Sequence, residues 1–137
     1  SPEAKLLSKL FVKDFMEHNV ITLNTNSTIN DAEQVLLEYG HSAYPVVDTK
    51  KRLAGIITKS DIEDALFQGI AQDTTIDKIM NPAPVTIMPG NNLYIAYYRL
   101  HSNNTEWLIV TDRNNKIKGI ITRLDINNAF HKDLLNK

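Results

Sequence analysis

One stretch of the sequence occurs twice, and this repetition constrains the possible folds more than any other feature. Gly55–Ile62 reads GIITKSDI, and Gly119–Ile126 reads GIITRLDI. The two halves of the chain align around these copies without a gap, so a fixed spacing relates positions in one half to positions in the other. Each copy predicts an apolar strand that runs into a helix, with a threonine and an aspartate at the junction.

The flanking sequence predicts the same order of elements in both halves, namely strand, helix, strand, strand and helix. The predicted strands are Val20–Leu23, Ala43–Val47 and Leu53–Thr58 in the first half, and Val85–Met88, Trp107–Val110 and Ile117–Thr122 in the second. One such half would bury too little apolar surface to be comfortable alone. We therefore expect an α/β (α+β) fold in which two tandem β-α-β-β-α repeats are related by a pseudo-twofold axis and share one core.

The repetition also sets the expected domain boundaries. Residues 1–10 are expected to form a leader helix, over Glu3–Leu10, or a linker from a preceding segment. The first repeat is expected to span residues 11–72 and the second residues 73–137. The chain begins with Ser rather than Met, which leaves open that it is a piece of a longer protein.

Composition and charge exclude several classes of function. The chain has 137 residues, a formal net charge of −1 and no cysteine. Nothing therefore argues for broad electrostatic binding of nucleic acid or membranes, and thiolate chemistry is absent. No apolar run approaches the ~20 residues that span a bilayer, and no signal-peptide pattern opens the chain. A cytoplasmic location is the default expectation.

Motifs for catalysis or metal binding do not assemble in this sequence. There is no P-loop, no Gly-x-Gly-x-x-Gly motif and no supported catalytic triad. The histidines lie far apart without the spacing of metal ligands, at His18, His41, His101 and His131. We expect a protein that is not an enzyme and holds no metal.

The Thr-x-x-Asp pairs at the two junctions have two interpretations from the sequence alone. In the first, they are capping boxes that satisfy free amides at a helix start, as also predicted at Thr28. In the second, the helix start attracts phosphate, the aspartate accepts ribose hydroxyls, and Lys59 or Arg123 neutralises phosphate charge. Local sequence does not decide between these interpretations.

The ordered set of motifs resembles a CBS-domain pair, also called a Bateman module. It comprises the two junction copies, Ser42–Asp48 (SAYPVVD), and Val12–Met16 (VKDFM) with its second copy at Ile76–Met80. The resemblance covers residues 11–133. It implies a regulatory module that binds AMP, ADP, ATP, S-adenosylmethionine or cyclic di-AMP between the repeats and signals to an attached or partner domain. Such modules are not enzymes and require no cofactor.

The resemblance further implies two crossed sites, each combining the Thr/Asp junction of one repeat with the first two strands of the other. The expected better site consists of Val20, Ile21, His41, Ser42, Ala43, Ile120, Thr122, Arg123 and Asp125. The expected doubtful site consists of Ile56, Thr58, Lys59, Asp61, Val85 and Trp107, with Pro84, Thr105 and Glu106 beside them. It is doubtful because Glu106, Trp107 and Ile109 stand where the first repeat has Ser42, Ala43 and Pro45.

Three tyrosines on the predicted helix after Asn92 bear on assembly. Tyr97 has the phase of a core residue, whereas Tyr94 and Tyr98 lie together on an adjoining face. Because paired modules of this kind usually meet through their helices, we expect Tyr94 and Tyr98 to contact a second copy in a homodimer. Two alternatives stay open, namely a ligand-free dimerisation platform and a regulatory fragment of a larger enzyme or transporter.

Overall fold

The computed structural model describes the backbone of residues 1–135 and the side chains of residues 1–132. The helices are α1 (Pro2–Leu7), α2 (Ile29–Tyr39), α3 (Lys59–Phe67), α4 (Leu93–Ser102) and α5 (Arg123–Leu135). The strands are β1 (Leu23–Asn24), β2 (Ala43–Val47), β3 (Leu53–Thr58), β4 (Thr86–Ile87), β5 (Trp107–Thr111) and β6 (Ile117–Thr122). Short 3₁₀ turns occupy Val12–Asp14 and Ile76–Lys78.

The chain divides into two compact units. The central unit is Val20–Pro84, and the terminal unit combines Ser1–Asn19 with the chain from Val85 onward. Each unit contains a three-stranded sheet in chain order, β1-β2-β3 or β4-β5-β6. In both sheets the first pair is parallel and the second is antiparallel. The predicted mixed fold of two β-α-β-β-α repeats is confirmed.

Each unit has its own cluster of buried apolar residues around the middle strand of its sheet. Tyr44 and Val46 of β2 are buried with Ile29, Ile57 and Ile62 in the central unit. The terminal cluster comprises Leu7, Val12, Ile87, Leu93, Ala96, Leu100, Leu108, Val110, Ile121, Ile126 and Ala129. The spacing of these residues follows the predicted helical and strand periodicities, because each helix and strand buries one face in the cluster of its unit.

The opening segments of the two repeats are exchanged between the units. Val12, which opens the first predicted repeat, is buried in the terminal unit, where its amide donates to the carbonyl of Asn91 at 2.9 Å. Ile76, which opens the second predicted repeat, is buried in the central unit and donates to Ser27 at 2.8 Å. Each buried cluster therefore contains residues of both repeats.

The exchanged segments also cover the edges of the third strands. Glu17 forms an antiparallel bridge with Ile120 of β6, and Asn81 forms one with Ile56 of β3. A Cβ atom at Gly119 would lie 2.7 Å from the Glu17 carbonyl oxygen, and a Cβ at Gly55 would lie 2.7 Å from the Asn81 oxygen. The repeated glycine is therefore required by close backbone approach.

Local signals for helix ends are confirmed where the sequence provides a cap. Thr28 accepts the amide of Asp31, whose side chain accepts the amide of Thr28, which completes a capping box. Gly40 ends α2 in the left-handed conformation with φ 69°. Asn92 caps α4 through its side-chain oxygen.

Four predicted element boundaries were wrong: the strand predicted at Trp107–Val110 extends to Thr111, and the other three reflect backbone hydrogen bonds that are made elsewhere or cannot form. The helix predicted over Glu3–Leu10 ends at Leu7, and the Leu10 carbonyl instead accepts the amide of Leu93. The strand predicted at Val85–Met88 is Thr86–Ile87, because the Met88 amide donates to the Asn91 side chain. The strand predicted at Val20–Leu23 is Leu23–Asn24, because its neighbour at the start is Pro45, which has no amide to donate.

The prediction that Tyr97 belongs to the core was wrong. The buried stripe of α4 consists of Leu93, Ala96 and Leu100, and Tyr97 at its edge is 46% exposed. Its ring stacks on His101 at a centroid distance of 6.0 Å. Tyr94 and Tyr98 are also exposed, and their contact with a second copy stays a prediction.

No helix in the stretch 1–135 combines the length and the apolar character needed to cross a membrane.

Candidate functional site

The central junction, where β3 meets α3, is built as a capping box. The Thr58 amide donates to Oδ2 of Asp61 at 2.9 Å, and the Asp61 amide donates to the Thr58 hydroxyl at 3.0 Å. Both residues are partly buried. The first interpretation of the Thr-x-x-Asp pair is therefore correct for this junction, but the box uses only one carboxylate oxygen.

The terminal junction, where β6 meets α5, repeats this geometry. Oδ2 of Asp125 accepts the Thr122 amide at 2.9 Å, and the Asp125 amide donates to the Thr122 hydroxyl at 3.2 Å. Within the part of the chain that the structure describes, Oδ1 of Asp61 and Oδ1 of Asp125 have no hydrogen-bond partner. Capping and ligand binding are thus compatible at both junctions.

A third capping box shows that this geometry alone does not define a site. Thr28 and Asp31 form the same reciprocal bonds at 2.9 and 3.1 Å at the start of α2. That pair is exposed and follows no Gly-x-x-Thr strand. It provides an internal reference for the cost of losing a cap.

The central junction has small neighbours. Thr58 pairs with Ala43 across β2 and β3, and the Lys59 amide donates to the Ser42 carbonyl at 2.9 Å. The Lys59 side chain is exposed and has no acidic partner among residues 1–132. This lysine is free to meet an anionic group.

The terminal junction is more crowded, because Arg123 is anchored there. Its Nε donates to the Thr105 carbonyl at 3.3 Å and lies 3.2 Å from Oε1 of Glu106, and its Nη2 donates to the Leu100 carbonyl at 3.2 Å. Thr122 pairs with Trp107 across β5 and β6. The guanidinium is thus engaged by protein oxygens, unlike the ammonium of Lys59.

The structure therefore groups the expected site residues by unit. Ser42 and Ala43, which the resemblance assigns to the better site, lie beside Thr58 and Lys59 of the doubtful one. The terminal unit groups Thr122 and Arg123 of the better site with Trp107, Thr105 and Glu106. The two crossed sets stay a prediction of the resemblance.

The strand starts that carry the remaining expected residues differ between the units. Val20 and Ile21 precede β1 and are partly buried. Val85 precedes β4, and its carbonyl accepts the Ile109 amide at 3.2 Å. Among the described residues, no amide of β2 donates in this way to Val20 or Ile21.

The loop that carries His41 is anchored by a hydrogen bond to a core residue, Tyr44. The His41 amide donates to the Tyr44 hydroxyl at 2.8 Å, while the His41 side chain is exposed between the rings of Tyr39 and Tyr44. Burial raises the pKa of Tyr44, an effect that the His41 hydrogen bond partly offsets. Tyr44 therefore serves the loop as a neutral hydroxyl.

Each junction aspartate, Asp61 or Asp125, lines a groove within its own unit. Asp125 borders one of about 240 Å³ with Asp14, Asn128 and Lys132. Asp61 borders one of about 230 Å³, lined also by Asp64, Ala65, Gln68, Ile70 and Ile79. The two grooves use matched positions of α5 and α3, so the carboxylates are accessible in both units.

Sequence reasoning missed the contacts that fix the third strands. Met16 and Met80 lie against the faces of Gly119 and Gly55, and these four residues are identical pairs in the repeat. Such pairs signal a repeated contact, although they do not reveal which copy contacts which. The sequence alone therefore could not show the exchange of opening segments.

Comparison with known proteins identifies the family. The model of the CBS domain matches residues 12–68 and 76–132, so the chain belongs to the CBS domain family. The fold is similar to the crystal structure of the CBS domain pair of protein MJ0100 in complex with 5′-methylthioadenosine and S-adenosyl-L-methionine. That match has a TM-score of 0.79 and 29% identity, and it covers 90% of this chain and 97% of that one. The resemblance inferred from the sequence is confirmed.

Curated relatives are longer proteins. The chain is 33% identical over 130 residues to the homoserine O-acetyltransferase of Methanosphaera stadtmanae, which is 94% of this chain and 26% of that protein. It is 36% identical over 107 residues to the uncharacterized protein MJ1232 of Methanocaldococcus jannaschii, covering 78% of this chain and 35% of that protein. The chain thus spans about a quarter to a third of these two relatives.

Proposed function

We propose that this CBS pair is a regulatory module that binds an adenosine-containing small molecule. The proposal is supported by the CBS pair of MJ0100, whose structure holds 5′-methylthioadenosine and S-adenosyl-L-methionine. It is also supported by the junction aspartates, which are available for hydrogen bonding after they have capped their helices. The module itself catalyses no reaction and needs no cofactor, and we place it in the cytoplasm.

The observation that carries the proposal is the spare oxygen of Asp125. The Thr122 amide holds Oδ2, which fixes the carboxylate and leaves Oδ1 facing no protein donor among the described residues. A fixed carboxylate accepts hydrogen bonds from the two adjacent hydroxyls of a ribose without losing side-chain entropy on binding. Hydrogen bonds to a charged group are stronger than those between neutral groups, at about 1.5–3 kcal/mol each.

Regulation requires a second component that reads the bound state. Because the homoserine O-acetyltransferases matched here are about four times as long as the chain, we propose that the module acts on an attached domain or a partner protein. A ligand shifts such a system only by its difference in affinity for the two states. The activity of the whole protein follows from that other component.

A ligand panel tests the proposal directly. We expect thermal unfolding to shift upward with AMP, ADP, ATP, S-adenosylmethionine, 5′-methylthioadenosine or cyclic di-AMP. For a true site the stabilisation grows with concentration by mass action, reaching about 2.7 kcal/mol at a hundredfold excess over Kd. If no member of the panel shifts the transition, the module does not sense an adenosyl ligand, and the dimerisation platform becomes the better reading.

Substitution of the aspartates locates the site that binds. We expect Asp125→Ala to weaken binding by roughly 10- to 100-fold in isothermal titration calorimetry, because it removes a charged acceptor for the ribose. Asp61→Ala should have a smaller effect, since the resemblance places it opposite Glu106 and Trp107. Asp31→Ala is the matched control, because it costs a cap of about 1 kcal/mol outside either junction. A larger effect at Asp61 than at Asp125 would reverse the ranking of the two sites.

A further inference from the structure

A cavity of about 530 Å³ lies in the terminal unit, between α1, α4 and α5. The buried side chains of Leu7 and Ile126 form part of its apolar wall. It includes neither Thr122 nor Asp125, so it is separate from the junction where β6 meets α5. Its volume falls within the range of small-molecule sites, which is about 300–1,000 Å³.

Three aromatic rings border this cavity, from Tyr94 and Tyr97 on α4 and from Phe130 on α5. Tyr97 stacks on His101 with an interplanar angle of 6°, and Phe130 meets His131 at an interplanar angle of 77°. These neighbours restrict the two rings before anything binds, which lowers the entropy lost on binding. The faces of aromatic rings carry partial negative charge and attract cations.

The charge of the lining side chains favours the same kind of ligand. Among the residues that border the cavity in the described part of the chain, Glu3 is acidic and none is lysine, arginine or histidine. Ser1 also borders it and carries the amino group of the chain. Apolar walls, ring faces and one carboxylate together form the kind of site that binds an organic cation.

The central unit has no counterpart of this cavity. The three aromatic residues stand where the first repeat has Asn30, Glu33 and Leu66. Helix α1 has no counterpart either, because residues 65–71, which match residues 1–7, form the end of α3 and the turn after it. The repetition that produces the two junctions therefore does not account for the cavity.

We propose that this cavity binds a small organic cation with an apolar body, such as a quaternary ammonium compound. The cationic group would lie against the faces of Tyr94 and Tyr97, with the exposed carboxylate of Glu3 beside it. The apolar body would lie on Leu7 and Ile126. The inference does not rest on the proposed function, since the cavity shares no residue with the two junctions.

A pair of probes with the same shape tests the role of charge. Choline is a cation, and 3,3-dimethylbutan-1-ol is its neutral carbon analogue. In an NMR titration that follows the ring protons of Tyr94 and Tyr97, choline should bind at least about fivefold more tightly than the alcohol. Acetylation of the Ser1 amino group removes a positive charge and should strengthen choline binding by about twofold. Equal binding of the two probes, or weaker choline binding after acetylation, would overturn the proposal.

Substitutions of exposed residues locate the binding site. Tyr97→Leu keeps an apolar side chain but removes a ring, and it should weaken choline binding by about fivefold. Glu3→Gln should weaken it by about threefold, because the carboxylate is exposed to solvent. Tyr98→Leu is the matched control, since Tyr98 is exposed on the same helix but does not border the cavity. An equal loss in Tyr98→Leu and Tyr97→Leu would overturn the assignment of choline to this cavity.

A second copy of the chain is the other candidate occupant, because Tyr94 is also expected to contact a homodimer partner. In that case, Tyr97→Leu would raise the monomeric fraction in size-exclusion chromatography, and choline would leave the ring resonances unchanged. This result would overturn the proposal. A ligand panel in which no adenosyl compound binds would overturn the proposed function alone, since the choline titration measures a different part of the terminal unit.

Discussion

The loop between α2 and β2 and the loop between α4 and β5 have the same backbone turn but are held in different ways. Gly40 and Asn104 occupy matched positions in the left-handed conformation, with φ 69° and 48°. In the central unit, the hydroxyl of the buried Tyr44 accepts a hydrogen bond from the amide of His41, the residue after Gly40. In the terminal unit, Leu108 replaces this tyrosine, and Arg123 at the start of α5 donates to the Thr105 carbonyl of the loop and to the Leu100 carbonyl of α4.

This difference determines which cation is available at each junction. A core tyrosine contacts the central loop, and Lys59 contacts it only through its backbone amide, so the Lys59 side chain stays exposed. In the terminal unit the same position is used for structure, and Glu106 balances the charge of Arg123. Repeats that share a backbone can therefore diverge in the charge that they present to a ligand.

The largest expected effect concerns Gly55 and Gly119, the matched glycines that lie against a bridging backbone oxygen in each unit. Gly119→Ala and Gly55→Ala should each destabilise the protein by roughly 2–3 kcal/mol, because the new Cβ meets a bridging backbone oxygen that cannot move cheaply. The melting temperature should fall by roughly 10 °C in each case.

Gly90→Ala is the control for these glycine substitutions. A Cβ at Gly90 meets nothing within 4 Å. Calorimetric unfolding of Gly90→Ala should therefore stay close to the wild type. If Gly119→Ala behaved like this control, the close approach of Glu17 to β6 would not hold in solution.

A smaller effect distinguishes the two ways of holding the loops. Tyr44→Phe keeps the buried ring but removes the acceptor of the His41 amide, and it should cost roughly 1–2 kcal/mol in chemical denaturation. Arg123→Gln should cost less, about 0.5–1 kcal/mol, because its side chain is 33% exposed and water can replace the lost donors. Equal costs would mean that the core contact is no stronger than the surface one.

Local patterns were sufficient to predict most of the elements. The bounds of β2 and β3, the cap at Thr28 and the stop at Gly40 follow from periodicity and from capping chemistry, which involve neighbouring residues. The exchange of opening segments could not be predicted, because the repeat makes Val12 and Ile76 equivalent and either could pack in either unit. The role of Arg123 could not be predicted either, since its partners lie far from it in sequence and two of them are backbone carbonyls, which every residue carries.

The smallest expected effect concerns the turns between the last two strands of each sheet, where Asp48 and Asp112 occupy matched positions. The pKa of Asp48 is lowered mainly by the Arg52 amide, and that of Asp112 mainly by the Lys116 amide. Because the pKa is lower in the folded state than its ordinary value of 3.8, the ionised carboxylate stabilises the fold at pH values above 3.8. This contribution is lost as the pH falls through the lowered pKa.

Asparagine at either position should therefore flatten the fall in melting temperature below about pH 5, where the contribution of the carboxylate is lost. We expect Asp48→Asn to flatten it more than Asp112→Asn. Asp48 also pairs with Arg52 at 2.9 Å, whereas Asp112 lies 3.8 Å from the Lys118 ammonium. Added salt should reduce the difference between the two variants, since both pairs are exposed to solvent. A steeper acid transition in either variant would show that the carboxylate does not stabilise the turn, and that its amide partners alone define the shape that the two units share.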